Sequence, residues 1–293
     1  AEGCYIYDTK GKSYLDMISG IAVTNVGHRH PLVVKAIKDR VDRYLHVMPY
    51  GEFIQGPQVE LARKLTSLLP DSLSSSYFVN SGTEAIEAAL KLAKRYTGRR
   101  KIVSCLKAYH GSTHGALSVS GNEKKKYAFR PLLPEVYFMR FNEIDDLKLI
   151  DEHTAAAIVE TVQGDAGVRI PSKAYMQALR ARCTEVGALL ILDEIQTGFG
   201  RTGKLFAFEH FGIAPDIWTI AKSMAGGMAM GALVSHRDIM DTLKEDPILG
   251  HITTFGGHPV CCAAALGNIQ AIEEGNLVET CEEKGALLGS LLN

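Results

Sequence analysis

The chain has 293 residues, enough to bury a large hydrophobic core in one domain or two. Its 32 basic and 33 acidic residues give a formal net charge of −1, so the composition offers no basic surface for nucleic acid. The sequence shows no membrane-length apolar stretch, no signal-peptide pattern and no disulfide-type cysteine framework, which predicts a cytoplasmic protein that does not bind membranes.

Short β-rich runs alternate with helical patterns along the chain. We predict strands at residues 75–80, 101–106, 155–162, 188–195, 217–223 and 229–236, and helices at 83–96, 172–186 and 259–273. This alternation predicts an α/β fold with a mostly parallel central sheet that is covered by helices on both faces. Before the sheet, residues 1–47 are predicted to form a small N-terminal segment. The large domain would cover residues 48–258.

The chain begins at Ala1 and stops at Asn293 within a helical pattern. We therefore expect that both ends of a longer protein are missing, and that residues 259–293 are a linker helix and the start of a truncated C-terminal domain. In the helix at 83–96, Glu87 and Lys91 have the four-residue spacing of a supporting ion pair. The cluster of lysines at 124–126 predicts a solvated loop rather than a binding patch.

Ligands of α/β sheets gather at the carboxyl ends of the strands. Ser81-Gly82-Thr83 follows the first predicted strand and opens a helix, which suits a phosphate, although a plain helix cap explains the same residues. Tyr109 and His110 follow the next strand. Tyr109 has the shape to stack on a flat ring, and the alternatives are ordinary core packing for Tyr109 and a structural role for His110. Since Gly111 disrupts a helix after His110, we predict no metal site there.

Two charged residues lie within or at the end of apolar runs that are typical of buried strands. Asp193 lies within the apolar run 188–195, and Lys222 lies at the end of the run 217–223. Both are costly to bury unless they are paired or functional. Lysine in such a place can act as an amine nucleophile toward a carbonyl, and an amine together with an anion is what pyridoxal phosphate requires. Taken alone, Lys222 is more simply explained as a solvated lysine at a strand end.

A second motif competes with this interpretation. Gly198-Phe-Gly200-Arg-Thr-Gly203 fits the G-x-G-x-x-G pattern of dinucleotide-binding proteins and follows a predicted strand. The next residues form a short aromatic run that ends at Gly212, where the motif requires a long helix. These glycines therefore favour a tight loop, and a nicotinamide-dependent oxidoreductase remains an alternative.

Taken together, the motifs resemble those of the class III aminotransferases, the ornithine, acetylornithine and 4-aminobutyrate group of fold type I enzymes that use pyridoxal phosphate. The most specific part is residues 192–204, LDEIQTGFGRTGK, followed at the right interval by Ala221-Lys222. Further matches are GHRHP at 27–31, NSGTEA at 80–85, YHG at 109–111, QG at 163–164 and TTFGG at 253–257. The resemblance covers nearly the whole chain and implies a homodimer.

The resemblance implies roles for the matched residues around the cofactor ring. Lys222 would form the Schiff base and carry the proton between the substrate carbon and the cofactor. Asp193 would keep the pyridine nitrogen protonated, and Gln196 would hydrogen-bond the ring hydroxyl. Tyr109 would stack on the ring face, and His110 would also belong to the cofactor site.

Further matched residues would hold the phosphate and the substrate. Ser81, Gly82 and Thr83 would bind the phosphate of the cofactor. Thr254 would reach the phosphate of the cofactor in the neighbouring subunit. Glu160 would lie near the substrate side of the cofactor.

Four positions depart from the family pattern. Where ornithine and acetylornithine enzymes carry an arginine that clamps the α-carboxylate of the substrate, this chain has Ser112. Asp165 stands in place of the usual glutamate that pairs with a switchable arginine. Thr161 and Ala229 replace usual prolines. The resemblance together with these departures implies an aminotransferase that acts on an amine or ω-amino acid and a keto acid such as 2-oxoglutarate. The nearest alternative is an aminomutase of the same family, and another is an inactive homologue that binds the cofactor and serves as an interaction partner.

Overall fold

The strands and helices of a computed structural model are described for residues 1–49, 51–248 and 250–292. The strands are β1 Tyr5–Tyr7, β2 Ser13–Leu15, β3 Ser75–Val79, β4 Lys101–Cys105, β5 Val136–Met139, β6 Thr154–Glu160, β7 Leu189–Asp193, β8 Ile217–Ile220 and β9 Gly231–Ser235. The helices are α1 Ser19–Ala22, α2 Pro31–Val41, α3 Gly56–Ser67, α4 Gly82–Thr97, α5 His114–Val119, α6 Glu123–Lys126, α7 Lys173–Val186, α8 Arg237–Met240, α9 Pro259–Glu274 and α10 Leu277–Leu292.

Seven strands form one sheet in the order β3-β9-β8-β7-β6-β4-β5, and β1 and β2 form a separate hairpin. Only β9 is antiparallel to its neighbours β3 and β8, while the pairs β8–β7, β7–β6, β6–β4 and β4–β5 are parallel. The mostly parallel central sheet is therefore confirmed. The carboxyl ends of six strands meet at one edge of the sheet.

The sheet is covered on both faces because alternate residues of its strands enter two different cores. Leu190 and Leu192 of β7 belong to a cluster with residues of α3, α7 and α9. Leu189 and Ile191 of the same strand belong to a second cluster with residues of α4. Every residue of β6 and β7 is buried, which explains their continuous apolar sequences.

All six predicted strands are present but shorter than predicted, and β1, β2 and β5 were not predicted. The helix predicted at 83–96 is α4, in which Ile86, Ala89, Leu90 and Ala93 are buried. The ion pair predicted between Glu87 and Lys91 is wrong. Glu87 instead accepts hydrogen bonds from the backbone of Gly115 and Ala116 at the start of α5, and Lys91 donates to the carbonyl of Gly250. Tertiary partners replace the pairing within the helix.

The lysine cluster at 124–126 is likewise not a solvated loop. It lies in α6, and Lys126 is buried with its ammonium bonded to the carbonyls of Ser118 and Ser120, both at 3.0 Å.

Near the C-terminal end, α9 packs against α2 and α3, whereas α10 has no buried residue. The domain limits at 47 and 258 remain predictions. Within the described residues, no helix is both long enough and apolar enough to cross a membrane.

Glu194 links the end of β7 to two other parts of the fold. Its buried carboxylate accepts hydrogen bonds from Thr161 Oγ1 at 2.9 Å, from the N–H of Ala207 at 2.9 Å and from the N–H of Phe208 at 2.6 Å. The hydroxyl of Thr161 therefore has a structural role that a proline at this position could not fill. Loss of hydration outweighs these bonds and raises the pKa of Glu194 to about 7.

We expect this carboxyl group to make folding less favourable as the pH rises. The folded protein holds the proton of Glu194 up to about pH 7, and the unfolded chain releases it near 4.5. Its contribution to the free energy of unfolding therefore falls between these values, by about 3 kcal/mol at most. Urea unfolding of the wild type and of Glu194→Gln near pH 5 and near pH 8 measures this difference. Equal pH dependence in both proteins would contradict the assignment.

Candidate active site

A cleft of about 640 Å³ opens at the carboxyl edge of the sheet. Eleven of the twelve predicted site residues line it: Ser81, Gly82, Thr83, Tyr109, His110, Ser112, Glu160, Asp165, Asp193, Gln196 and Lys222. They come from the segments that follow β3, β4, β6, β7 and β8, which the parallel topology brings together. The twelfth, Thr254, is exposed and does not line the cleft of its own chain. Sequence patterns carried no signal for Ile21 and Val23, which also line the cleft.

Asp193 lies at the centre of this edge, beside Glu160 on the neighbouring strand. Its Oδ2 lies 2.7 Å from Nδ1 of His110, and its Oδ1 accepts a hydrogen bond from the N–H of Ile195 at 3.0 Å. The side chain of His110 is completely buried, so it holds the carboxylate in one orientation. A carboxylate accepts about four hydrogen bonds, so Asp193 retains capacity for another donor.

Glu160 is the second buried carboxylate of the cleft. Its two oxygens accept hydrogen bonds from the N–H of Tyr109 at 3.0 Å and from the N–H of Gly164 at 3.1 Å. Burial raises the pKa of Glu160. The electrostatic influence of His110 and these two hydrogen bonds lower it, and the nearby charge of Asp193 raises it. Glu160 thereby fixes two loops of the cleft relative to β6.

Lys222 follows β8 and begins a 3₁₀ turn, Lys222–Ala225, with a backbone φ of 35°. This left-handed conformation is uncommon for a residue other than glycine and ends the strand earlier than predicted. Burial lowers the pKa of Lys222, while the negative charges of Asp193, Glu160 and Asp165 act in the opposite direction. The lowered pKa favours the neutral amine, which is the nucleophilic form.

The start of α4 provides a site for an anion. Ser81 caps this helix by accepting the N–H of Glu84, which leaves the N–H groups of Gly82 and Thr83 without an intrahelical acceptor. The hydroxyls of Thr83 and Thr113 lie 2.7 Å apart, and that of Thr113 donates to Glu87. The hydroxyl of Thr83 therefore donates to Thr113, and its backbone N–H remains available. Free N–H groups at a helix N-terminus suit a phosphate.

Gln196 is held close to the loop after β6. A Cβ atom on Gly164 would lie 1.6 Å from Oε1 of Gln196, so only glycine fits at position 164 with Gln196 in this place.

At the mouth of the cleft, the hydroxyl of Tyr109 lies 3.3 Å from Oγ of Ser112. Asp165 forms an ion pair of 2.7 Å with Lys125, a residue that the sequence did not identify.

The glycine-rich segment 198–203 serves helix packing rather than nucleotide binding. It is followed by the short 3₁₀ helix Ala207–Phe211 and not by a long helix. A Cβ atom on Gly203 would lie 3.0 Å from Cβ of Glu282 in α10. The glycine therefore permits close approach of α10, and the dinucleotide interpretation has no support in the fold.

The residues of the cleft fit pyridoxal phosphate. The start of α4 suits its phosphate, and Asp193 supplies a buried anion that has room for a further donor. Lys222 supplies an amine whose pKa is lowered, and the ring of Tyr109 is 37% exposed at the cleft. An amine, an anion, a phosphate site and an aromatic face are the groups that this cofactor needs.

Comparison with known proteins gives the same assignment. The family model "Aminotransferase class-III" matches residues 1–293. An acetylornithine aminotransferase from Methanopyrus kandleri is 42% identical over 295 residues, which cover 100% of this chain and 74% of that protein. A putrescine aminotransferase from Pectobacterium atrosepticum is also 42% identical, over 97% of this chain and 62% of that protein.

A solved structure shares the fold as well. The taurine:2-oxoglutarate aminotransferase from Bifidobacterium kashiwanohense, in complex with pyridoxal phosphate and glutamate, has a TM-score of 0.93 at 32% identity. The match covers 100% of this chain and 71% of that one. The fold is thus that of fold type I transaminases, and pyridoxal phosphate is the cofactor. The chain belongs to the class III aminotransferases.

Proposed function

We propose that this aminotransferase moves an amino group from an amine or ω-amino acid to a keto acid such as 2-oxoglutarate, in two half-reactions. Acetylornithine-, ornithine- and 4-aminobutyrate-like molecules are the donors we expect. Matches to an acetylornithine aminotransferase and to a putrescine aminotransferase at the same identity support a donor with a terminal amine. The observation that carries the proposal is that Lys222 lines the same cleft as Asp193 and Glu160, whose charges act on its amine.

Lys222 has the central chemical role in this proposal. When bound, pyridoxal phosphate supplies an electrophilic carbon for an amine and a ring that accepts the electron pair left on the substrate carbon. The Nζ atom of Lys222, as a neutral amine, would take the proton from that carbon and pass it to the cofactor. Burial lowers the pKa of Lys222, which favours this neutral form.

The other residues of the site bind and orient the cofactor and the substrate. Asp193, which is held by His110, would accept a hydrogen bond from the protonated ring nitrogen of the cofactor. Tyr109 would stack on the ring, and Gln196 would hydrogen-bond the ring hydroxyl. Glu160 holds the loops on the substrate side of the site.

The phosphate is bound by Ser81, Gly82 and Thr83 at the start of α4. We further propose a homodimer in which Thr254, which is exposed in the single chain, reaches the phosphate in the neighbouring subunit. All six cysteines are free thiols, which supports a cytoplasmic location. Light scattering of the purified protein tests the dimer, and a monomer carrying cofactor would contradict it.

An absorbance spectrum tests the proposed function. We expect the purified protein to show a visible band that borohydride removes and that amine donors convert to the spectrum of the aminated cofactor. Keto acids should then restore the original band. A protein that shows the band but responds to neither donors nor keto acids would contradict aminotransferase activity. Conversion of a donor to its isomer without any keto acid would instead identify an aminomutase.

Ser112→Arg is expected to shift donor preference toward molecules with a free α-carboxylate, such as ornithine and its acetyl derivative. Ser112 lines the cleft and is exposed in it, so a guanidinium there can form paired hydrogen bonds to a carboxylate. A bond of this kind contributes about 1.5–3 kcal/mol, or roughly a tenfold to hundredfold change in the ratio of kcat/KM values. A donor panel on the wild type, Ser112→Arg and Ser112→Gln measures the shift.

In that panel, Ser112→Gln is the control, because it adds length without charge. The inference drawn from Ser112 is wrong if the wild type already strongly prefers acetylornithine and the arginine variant gains nothing.

A further inference from the structure

The three consecutive lysines at 124–126 have three different environments. Lys124 is exposed, and Lys126 is buried with its ammonium bonded to the carbonyls of Ser118 and Ser120. The hydroxyl of Ser120 in turn accepts the backbone N–H of His110 at 3.0 Å. Through these bonds α6 has a fixed position beside the loop that carries Tyr109 and His110.

Lys125, between them, extends to the mouth of the cleft. Its Nζ lies 2.7 Å from Oδ2 of Asp165 and 5.0 Å from the ring centroid of Tyr109. Asp165 and Tyr109 both line the cleft. The loop that carries Asp165 is held by backbone hydrogen bonds between Gln163 and Arg169 in both directions, at 2.9 and 3.0 Å. Lys125 does not itself line the cleft, but two anchored segments hold its ammonium beside two residues that do.

The described residues that line the cleft carry more negative than positive charges, so a substrate with two carboxylates would gain from an additional ammonium. Among the described residues of its lining, Lys222 is the only lysine or arginine, against the carboxylates of Glu160, Asp165 and Asp193. Within the described part of this lining, the reacting amine is the only cation that a keto acid with two carboxylates would meet. Arg201, which acts on Lys222 through its charge, and Lys125 are both outside the lining itself.

The pair between Lys125 and Asp165 can exchange partners. The two side chains are 45% and 42% exposed, and ion pairs with this exposure contribute only about 0–1 kcal/mol. An incoming carboxylate can replace that of Asp165 at the ammonium at little cost, since one carboxylate takes the place of another. Lys126 keeps the backbone of α6 in place during such an exchange.

We propose that Lys125 binds the distal carboxylate of a dicarboxylic keto acid and thereby determines which amino acceptor the enzyme uses. The inference rests on the proposed function, and it adds a residue that recognises the substrate at a position where the sequence indicated only a solvated loop. Acceptors with one carboxylate, such as pyruvate, do not use this contact. Lys125 contributes to binding and not to the chemical step.

Steady-state kinetics of the holoenzyme with 2-oxoglutarate and with pyruvate test the proposal. For Lys125→Gln we expect the KM for 2-oxoglutarate to rise about threefold to fivefold, with kcat little changed, because an exposed ion pair to the substrate is lost. The KM for pyruvate should stay within about twofold of the wild type. Lys125→Arg should retain 2-oxoglutarate binding, and Lys124→Gln, which removes the adjacent exposed lysine, should match the wild type.

Calorimetric titration with glutarate, which carries two carboxylates and no reactive carbonyl, gives a second measurement that needs no turnover. Lys125→Gln should weaken glutarate binding and leave acetate binding unchanged. Equal effects on both keto acids, or unchanged glutarate affinity, would overturn the proposal. A wild type that converts neither keto acid would contradict the proposed function, and the glutarate titration would still decide the role of Lys125.

Discussion

Replacing Lys222 with alanine is expected to abolish transamination while the protein stays folded. The Nζ atom of Lys222 is the only lysine amine among the described residues that line the cleft, so no neighbouring side chain can take over its chemistry. The free energy of unfolding of Lys222→Ala should not fall below that of the wild type, because burial already disfavours the charged form of this lysine. Alanine also has the same backbone restriction as lysine at a φ of 35°.

Two measurements distinguish loss of chemistry from loss of structure in Lys222→Ala. Turnover with an amine donor should fall to background, and the band that borohydride removes should disappear even when cofactor remains bound. Thermal unfolding should match the wild type. Lys204→Ala, which changes an exposed lysine of the same sequence motif, should keep full activity. If Lys222→Ala turned over near the wild-type rate, Lys222 would not be the amine on which the proposed transamination depends.

The parts of the site that depend on strand order were predictable from the sequence. The apolar runs that became β6, β7 and β8 have the composition of buried parallel strands, and polar residues at their ends must meet at one edge of the sheet. The sequence indicated Asp193 and Lys222 because charged residues are costly within or beside buried apolar runs, and the structure places both in one cleft. The roles of individual residues came from the resemblance to a family and not from this pattern.

The contacts that were missed depend on distant parts of the chain. Glu87 and Lys91 have suitable spacing for an ion pair, but α5 and the segment at Gly250 offer each of them other partners. The burial of Lys126 depends on carbonyl groups of α5 and the residue after it, which no local pattern reveals. The strand β5 has only four residues, Val136–Met139, at the edge of the sheet, where one face is partly exposed. Short edge strands carry a weak sequence signal for this reason.

Asp193→Asn is expected to keep the cofactor bound but to slow removal of the proton from the donor carbon by orders of magnitude. A carboxylate favours a proton on the ring nitrogen, and a neutral amide does not. The asparagine side chain would retain the size of the native one, so the loss would be electrostatic. Its amide would also face Nδ1 of His110, which lies 2.7 Å from Oδ2 of Asp193 in the native protein.

The rate of exchange of the donor's α-hydrogen in D₂O, followed by NMR, measures proton removal separately from product release in Asp193→Asn. A control variant, Asp238→Asn, changes an exposed carboxylate of α8 that does not line the cleft and should leave this rate within a few-fold of the wild type. A few-fold change corresponds to about 1 kcal/mol or less in the barrier. If Asp193→Asn also stays within that range, the carboxylate of Asp193 serves only to hold His110 and the backbone of Ile195, and its proposed role at the ring nitrogen is wrong.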